Sequence, residues 1–513
     1  MLTVIAVVVM LMAVAAGILS YGRFARRLHC EHSTSLAADR VETDLDRCIA
    51  PLTAAHPEDS GLALLSDNVD AFALRALTAR HAGRSLDLQY YIWKKDLTGE
   101  LLAAEIVRAA ERGVRVRILL DDVNVHGLDP HWLAIDRHER IEVRLFNPSR
   151  NRDGMLRRAL EMLLRWASLN RRMHNKAWIA DGRVAIVGGR NIGDAYFDAA
   201  DLSNFQDLDL LALGPVVQQA ATAFDIYWNS TVALPIAGLH PRRGRKLAGV
   251  PAALGSAAGQ AAAKPFLARV AQSATLQELL AGHLAVHWTR EVELVCDPPA
   301  KAHGRRGENW IMNVLRPAIA SARSDLQVIS PYFVPGTLGA QALAAIAADG
   351  VAVSILTNSL AATDVAVVHA GYARYRRRLV EAGIRLFELK PALRQRLRLF
   401  GSRGGASLHT KAFVVDRRAG FVGSFNFDPR SVSLNTEMGL LFVDPPLAEA
   451  LHQIFVEQTA ADASFRVEVR DGQTRWVDAE RKPPRIWIHE PIAGVWRRLA
   501  CSLLGFLPIE SQL

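Results

Sequence analysis

Two stretches of the chain set an imidazole and an ammonium two residues apart. One is RRMHNKAWIADGRVAIVGGRN, residues 171–191, and the other is LHTKAFVVDRRAGFVGSFN, residues 408–426. In the first, His174, Lys176, Asp181, Gly188, Gly189 and Asn191 fall at offsets 0, 2, 7, 14, 15 and 17. In the second, His409, Lys411, Asp416, Gly423, Ser424 and Asn426 repeat those offsets. Lys and Asn offer donors to phosphate oxygens and to the charge that grows in a transition state. A His near neutral pH serves as nucleophile, or as acid and base. Two imidazoles let one attack phosphorus while the other protonates the leaving alcohol and then deprotonates an incoming one. A metal is not expected: the neighbouring Lys repels a cation, and no Cys or further His completes a ligand set.

Such histidines need an acceptor for the second ring nitrogen. In FQDLDLLALGP, Asp207 stands eight residues before Pro215, and in NTEMGLLFVDP, Glu437 stands eight before Pro445. Each acid can orient a His as the carboxylate of a catalytic triad does. Asp181 and Asp416 complete the candidate catalytic set, although fixing the turn in which they lie is an equal reading of their position.

The elements that position these groups follow from periodicity. Residues two apart on a strand share a face, so His174 and Lys176 project together, as do His409 and Lys411. Asp181-Gly182 is a tight-turn dipeptide, so RVAIVGG returns antiparallel and brings Gly188, Gly189 and Asn191 near the His end. Glycines there allow close approach of backbone to a ligand. A wet edge strand would explain one such stretch; two copies at matched offsets weigh against it. Upstream, SLDLQYYIW, GELLAAEIVRAAERG and VRVRILLDD read as strand, helix and buried strand. SDLQVISPYFVPG, AQALAAIAADG and VAVSILTNS repeat that order, and RIEVRLFNP is echoed by GIRLFELKP. Strands separated by helices predict α/β architecture in two similar halves, with parallel strands in each. Residues 240–265, rich in Ala, Gly, Pro and basic side chains, read as a connector between them.

The 513 residues suffice for two to four domains, and a half-hydrophobic composition excludes a disordered chain. Lys and Arg outnumber Asp and Glu by 61 to 52, and the net charge of +9 suits a nucleic acid, an anionic membrane or a phosphorylated substrate. Residues 2–20 carry no charge. As a helix they span about 28 Å, close to the roughly 30 Å core of a bilayer. Basic residues follow this run (Arg23, Arg26, Arg27) and none precedes it, which favours an uncleaved anchor with a cytoplasmic body over a secretion signal cut near residues 13–15. Cys30, Cys48, Cys296 and Cys501 form no CxxC pair; their scatter suits reduced thiols, with a Cys30–Cys48 disulfide left open if the body is exported. Two basic, apolar stretches, residues 155–172 and 495–508, suit either an anionic membrane interface or ordinary helix packing. The stretch with His369, Tyr372 and Tyr375 reads only as an amphipathic helix.

The doubled His-x-Lys-x4-Asp pattern, with GG or GS and Asn downstream, resembles the phospholipase D superfamily. LDLQYYIW, GVRVRILLDD, NRRMHNKAWIADGRVAIVGGRNIGDAYF, LTNSLAATDVAVVHAGYARYRRRL and GSFNFDPRSVSLNTEMG extend the likeness to the bacterial cardiolipin synthases, especially the C type, over about residues 61–476. The resemblance implies two similar phospholipase D-like α/β domains, each a mixed sheet flanked by helices, packed about a pseudo-two-fold axis; the N-terminal transmembrane helix read from residues 2–20 is a departure from it. Together with the apolar run and the composition, the expected boundaries are an anchor at 1–22, a linker at 23–60, domains at 61–239 and 301–476 around a connector at 240–300, and an interfacial tail at 477–513. The resemblance implies one site between the halves, in which Asp207 and Glu437 hold the histidines and a phosphohistidine forms without metal or cofactor. His174 is then the nucleophile and His409 the acid and base, though the near symmetry of the copies leaves the roles interchangeable. The implied reaction transfers a phosphatidyl group to phosphatidylglycerol and yields cardiolipin, with phosphatidylethanolamine or a second phosphatidylglycerol as donor, at a bacterial inner membrane. Hydrolysis of phospholipid is the alternative. A nuclease is less favoured, because no aromatic-basic interleaving stands out, so no nucleic acid partner is expected; no protein partner is implied.

Overall fold

Hydrophobic runs bounded by Gly, Asp and Pro become strands, and the two large sheets they build each carry one copy of the repeated pattern. The computed structural model describes the chain apart from residues 1–4, 8, 11, 15–29, 39–41, 126, 150–151, 153–159, 162, 202, 241–262, 274–277, 279–284, 305–306, 308–309, 392–404, 508–509 and 513. The first half supplies β1 (Ser60–Leu65), β2 (Ser85–Tyr90), β3 (Arg115–Asp121), β4 (Ile141–Phe146), β5 (Ala177–Ala180), β6 (Val184–Gly188), β7 (Ser203–Gln206), β8 (Asp209–Leu213), β9 (Ala233–Pro235) and β10 (His287–Thr289). The second supplies β11 (Val292–Cys296), β12 (Asp325–Ile329), β13 (Ala352–Asn358), β14 (Arg385–Leu389), β15 (Gly405–Leu408), β16 (Ala412–Val415), β17 (Ala419–Gly423), β18 (Met438–Val443), β19 (Ser464–Arg470), β20 (Gln473–Asp478) and β21 (Arg485–Trp487).

The first sheet has the order β10-β1-β8-β6-β5-β2-β3-β4-β9, and the second β11-β18-β17-β16-β12-β13-β14-β19-β20-β21. From β1 to β9 and from β11 to β19 they match strand for strand. In both, three central strands are parallel, β2-β3-β4 and β12-β13-β14, and the remaining pairs are antiparallel. The sheets are therefore mixed, as expected. Parallel neighbours need crossover helices, and the predicted helical stretches supply them.

Helices α1 (Asn68–His81) and α2 (Leu97–Glu111) cover the outer face of the first sheet, packing on Leu88, Ile118 and Trp178. Helix α3 (Pro215–Trp228) lies on the inner face. In the second half, α4 (Gly336–Ala348) and α5 (Ala366–Glu381) are outer, and α6 (Pro445–Thr459) is inner. The inner faces share one core: Ala177 and Ile179 join Val414, Leu440 and Phe442 around α3 and α6. Alternation along the strand decides this, since Trp178 and Ala180 point the other way. Asp67, Asp96 and Asp444 cap α1, α2 and α6 with their side chains, and Pro215 and Pro445 open α3 and α6, where a missing N–H costs nothing.

Two short backbone stitches cross between the halves. β7 pairs in parallel with β15, and Met173 bridges Thr436. Both lead straight into the histidines.

The described end of the connector is built into both sheets. Its last residues form β10 in the first sheet and β11 in the second, so the chain changes sheet at Arg290-Glu291. Residues 241–262 of the connector lie outside the described residues. The second sheet also continues past residue 476 through β20 and β21. Helix α7 (Val495–Leu504) then packs on α5. Of the expected interfacial stretch at 155–172, residues 155–159 and 162 lie outside the described residues, and the rest include a short helix at Trp166–Leu169. The anchor expected at 1–22 also falls largely outside them, and among the described residues no helix is long and apolar enough to cross a membrane. No disulfide joins Cys30, Cys48, Cys296 or Cys501.

Candidate active site

Short hydrogen bonds converge on the two predicted histidines. The loop after β18's partner strand returns Glu437 to the seam, where Oε2 accepts from His174 Nδ1 at 2.8 Å. In the mirror arrangement, Asp207 Oδ2 accepts from His409 Nδ1 at 2.5 Å. Each histidine is thus held by the acid of the opposite half. A carboxylate only accepts, so Nδ1 carries the proton and Nε2 keeps its lone pair. The backbone repeats the exchange: His174 N donates to Thr436 O at 2.8 Å, and His409 N to Gln206 O at 2.7 Å.

The acids are themselves fixed. Glu437 accepts from the hydroxyls of Ser424 at 2.5 Å and Ser431 at 2.9 Å, and Asp297 receives its backbone N–H at 3.0 Å. Asp207 accepts from Leu208 N at 2.8 Å, while Arg190 donates to the Asp207 carbonyl at 2.5 Å. Gly189 is required beside it, because a Cβ there would stand 2.2 Å from Asp207 Oδ1. At the equivalent position Ser424 has a side chain, which reaches Glu437 instead.

Lys176 and Lys411 each donate to the carbonyl of the histidine two residues before, Lys176 at 2.5 Å. Both are about 1 % exposed. Burial drives the Lys176 ammonium down to about 7, with Lys411 adding to the effect against the pull of Glu437. Lys411 is lowered by burial too. Burial takes His174 down to about 4 although Glu437 opposes it, and burial with Lys411 lowers His409. Burial alone would raise Asp207 and Glu437, but His409 and His174 hold them below the usual carboxylate range. The pocket is thus primed for an anion: two neutral imidazoles with free Nε2 atoms, and two crowded ammonium groups.

Asn191 and Asn426 complete the two ends. Asn191 accepts from Ile92 N and donates to Tyr196 OH at 2.9 Å, and the Tyr196 ring lies 5.2 Å from His409. Asn426 neighbours the other pair through Ser431, which accepts from Asn426 N and donates to Glu437. Its Oδ1 has no partner among the described residues.

A family model described as "Cardiolipin synthase, PLD-like domain" matches residues 78–228 and 315–459. The chain belongs to this family. It is 41% identical over 472 residues to cardiolipin synthase C of Escherichia coli (strain K12), covering 91% of this chain and 99% of that relative. It is 24% identical over 422 residues to a cardiolipin synthase of Staphylococcus aureus (strain N315), covering 82% and 71%. A solved structure, the phosphatidylserine synthase of Haemophilus influenzae Rd KW20, superposes with a TM-score of 0.56 over 88% of this chain and 96% of that one, and at 14% identity it speaks for the fold alone.

Of the ten residues the sequence nominates, this phospholipase D-like site brings eight together: His174, Lys176, Asn191, Asp207, His409, Lys411, Asn426 and Glu437. It does not bring Asp181 and Asp416 to them. Those aspartates sit at the far end of their strands, roughly 20 Å away at about 3.3 Å per residue. Asp181 accepts from the backbone N–H groups of Gly83, Arg84 and Ser85, and Asp416 from those of Arg323, Ser324 and Asp325. Both adopt positive φ, 53° and 51°, which Asp tolerates in a turn. Of the two readings of these acids, the geometry carries turn fixing and corrects their place in the catalytic set.

Sequence reasoning missed several neighbours. Tyr91 lies 5.0 Å from the His174 ring, and Phe205 and Tyr332 lie 5.0 and 6.4 Å from His409. Tyr332 OH donates to Asp364 at 2.8 Å. Tyr196 and Ser431 stand five residues after Asn191 and Asn426, so extending the repeat by five positions would have found them. Among the described residues, a second cluster of His369, Glu388 and Glu490 surrounds Arg376, which pairs with both acids at 3.0 and 2.9 Å.

Proposed function

We propose that the chain is a cardiolipin synthase that transfers a phosphatidyl group to phosphatidylglycerol through a phosphohistidine. The observation that carries this reading is the crossed pairing of His174 with Glu437 and His409 with Asp207 between two buried lysines. The phosphodiester enters between Lys176 and Lys411, and its negative charge raises the proton affinity of the imidazoles, so that His409 takes up a proton from solvent on Nε2 while His174 Nε2 keeps its lone pair. His174 Nε2 attacks phosphorus, the bond to the donor's head-group oxygen breaks, and His409 delivers a proton to that oxygen. A hydroxyl of phosphatidylglycerol then gives its proton to His409 and attacks phosphorus, and the P–N bond breaks to release His174 and cardiolipin. The lysines and Asn426 Nδ2 stabilise the equatorial oxygens in each step.

His174 suits the attacking role. Ser424 and Ser431 spread the charge of Glu437 over two further hydrogen bonds, which weakens its support for an imidazolium. Asp207 has one backbone donor and a 2.5 Å contact with His409, which favours the protonated form needed for the leaving group. The donor is phosphatidylethanolamine. Tyr196, Phe205 and Tyr332 surround His409, and the Asp364 carboxylate sits on Tyr332, a setting that attracts an alkylammonium. We place the enzyme at a bacterial inner membrane with both halves cytoplasmic, from the uncharged run 2–20 and the arginines after it.

Purified protein in liposomes containing labelled phosphatidylglycerol, with and without phosphatidylethanolamine, tests the reading. Cardiolipin that forms faster with phosphatidylethanolamine and releases ethanolamine supports it. Cardiolipin with release of glycerol alone moves the donor to a second phosphatidylglycerol. Phosphatidic acid as the sole product makes the chain a hydrolase.

A further inference from the structure

We infer that the outward face of α7 docks on an anionic lipid bilayer and turns the seam between the halves toward it. Helix α7 is amphipathic in the inverted sense. Its buried side sets Cys501 against Leu360, Ala370 and Ala493. On the opposite side Val495, Trp496, Leu499 and Leu503 fall within one arc of about 100° at 3.6 residues per turn. Trp496 is 82% exposed and Leu503 61%, and Phe506, just past the helix end, is 85% exposed. Arg498 stands on one flank of that arc, while Arg497 lies toward the packed side and donates to Thr363 O.

The face rests on a rigid base. Before the helix, Glu490 pairs with Arg376 at 2.9 Å and with His369 at 3.1 Å. After it, Arg374 caps the carbonyls of Gly505 and Leu507. A cleft of about 710 Å³ between α7 and α5 sets Arg498 behind the apolar row, beside Arg374, which is paired with Glu510 at 3.3 Å. Apolar side chains entering the acyl boundary would therefore bring lipid phosphates against the Arg498 guanidinium at the edge of an exposed Trp and Phe, and this pairing of charge with interfacial aromatics selects an anionic bilayer over a protein partner. The tail continues to the reacting seam: Gln512 accepts from Asn170 Nδ2 at 2.6 Å and from Arg430 Nη1 at 3.4 Å. Asn170 stands four residues before His174, and Arg430 four after Asn426.

The inference rests on the lipid substrates proposed above, and its test separates the two. Full-length wild type and Trp496→Glu/Phe506→Glu are assayed on vesicles of phosphatidylglycerol and phosphatidylethanolamine, and on short-chain lipids of the same head groups in detergent. The glutamate variant is expected to lose roughly tenfold or more in turnover on vesicles and to match wild type in detergent, while Trp496→Phe/Phe506→Leu keeps both rates. Unchanged vesicle turnover in the glutamate variant overturns docking, as does an equal loss on both substrates. A changed oligomeric mass with vesicle turnover retained gives the face to a second copy and also overturns it. Absence of turnover in wild type strikes the proposed function alone. Docking is then read from Trp496 fluorescence, as wild type minus Trp496→Phe, on vesicles brominated in the acyl chains: quenching supports docking and its absence refutes it.

Discussion

His174 and Glu437 meet across the seam between the halves, with Nδ1 2.8 Å from Oε2, and the reciprocal pair His409 and Asp207 closes at 2.5 Å. Each acid is bonded into its own half, and each imidazole belongs to the other. Neither half alone holds a complete reacting pair.

Replacing either acid by its amide should leave the fold intact and disable the ring it holds. Glu437→Gln and Asp207→Asn present an N–H₂ as readily as an oxygen, so the imidazole adopts the wrong tautomer. Cardiolipin formation is expected to fall by roughly 10²- to 10⁴-fold in kcat. Single-turnover phosphorus labelling would separate the two variants: the Glu437 variant fails to form the phosphohistidine, and the Asp207 variant forms it slowly.

The alkaline limb of the rate profile should report Lys176. Its ammonium titrates near 7 in the free enzyme because burial disfavours the charge. Accordingly, kcat/KM falls as pH rises above about 7, whereas kcat holds to higher pH because the bound diester keeps the ammonium charged. In Lys176→Arg, whose guanidinium stays charged, the limb disappears even though the overall rate drops. A Lys176→Arg profile that still bends near 7 would assign the limb elsewhere.

Gly189→Ala should damage activity more than stability. The added Cβ would meet Asp207 Oδ1 at 2.2 Å and push the carboxylate from His409. A displacement on the order of 1 Å costs about 10²-fold in rate. The control is Ser424→Ala, which removes one bond to Glu437 without a clash and should cost less.

Asp181→Ala should do the reverse. Three backbone N–H groups lose a buried, charged acceptor, which destabilises the fold by about 2–4 kcal/mol. Activity per folded molecule should equal that of wild type. A calorimetric midpoint and a titration of active sites check both halves of this expectation.

Acid should weaken the fold through His174. The unfolded ring binds a proton near 6.5 and the folded one near 4, so the unfolded state binds more protons within that window and stability falls as pH drops through it. The loss is about 3 kcal/mol when complete, and none of it is present above 6.5. Asp207 and Glu437, held low, act in the same direction at the acid end. Thermal midpoints at pH 7 and pH 4.5 should differ less in His174→Gln than in wild type.

The doubled motif, the mixed α/β halves and eight of the site residues were legible because they are local patterns read twice. His174 and Lys176 share a strand face, and the repeat exposes Asp207 and Glu437 by their distance from a helix-opening proline. The exchange of acids between halves was not legible, since no periodicity records which half a side chain turns toward. Phe205 and Tyr332 enter the site through the β7–β15 pairing and the loop after β12, contacts between residues far apart in sequence. The end of the connector hid β10 and β11, whose strand residues are mostly half-exposed at sheet edges and lack a buried run. Asp181 and Asp416 misled because a turn acid and a reacting acid have the same side chain, and only their amide partners tell them apart.

The crossed acids also impose an order on biosynthesis. During translation His174 emerges long before Glu437, the residue that sets its tautomer. Any nascent or truncated chain ending short of that glutamate carries an unheld imidazole. The centre therefore arms only after the second half has been made and has folded against the first.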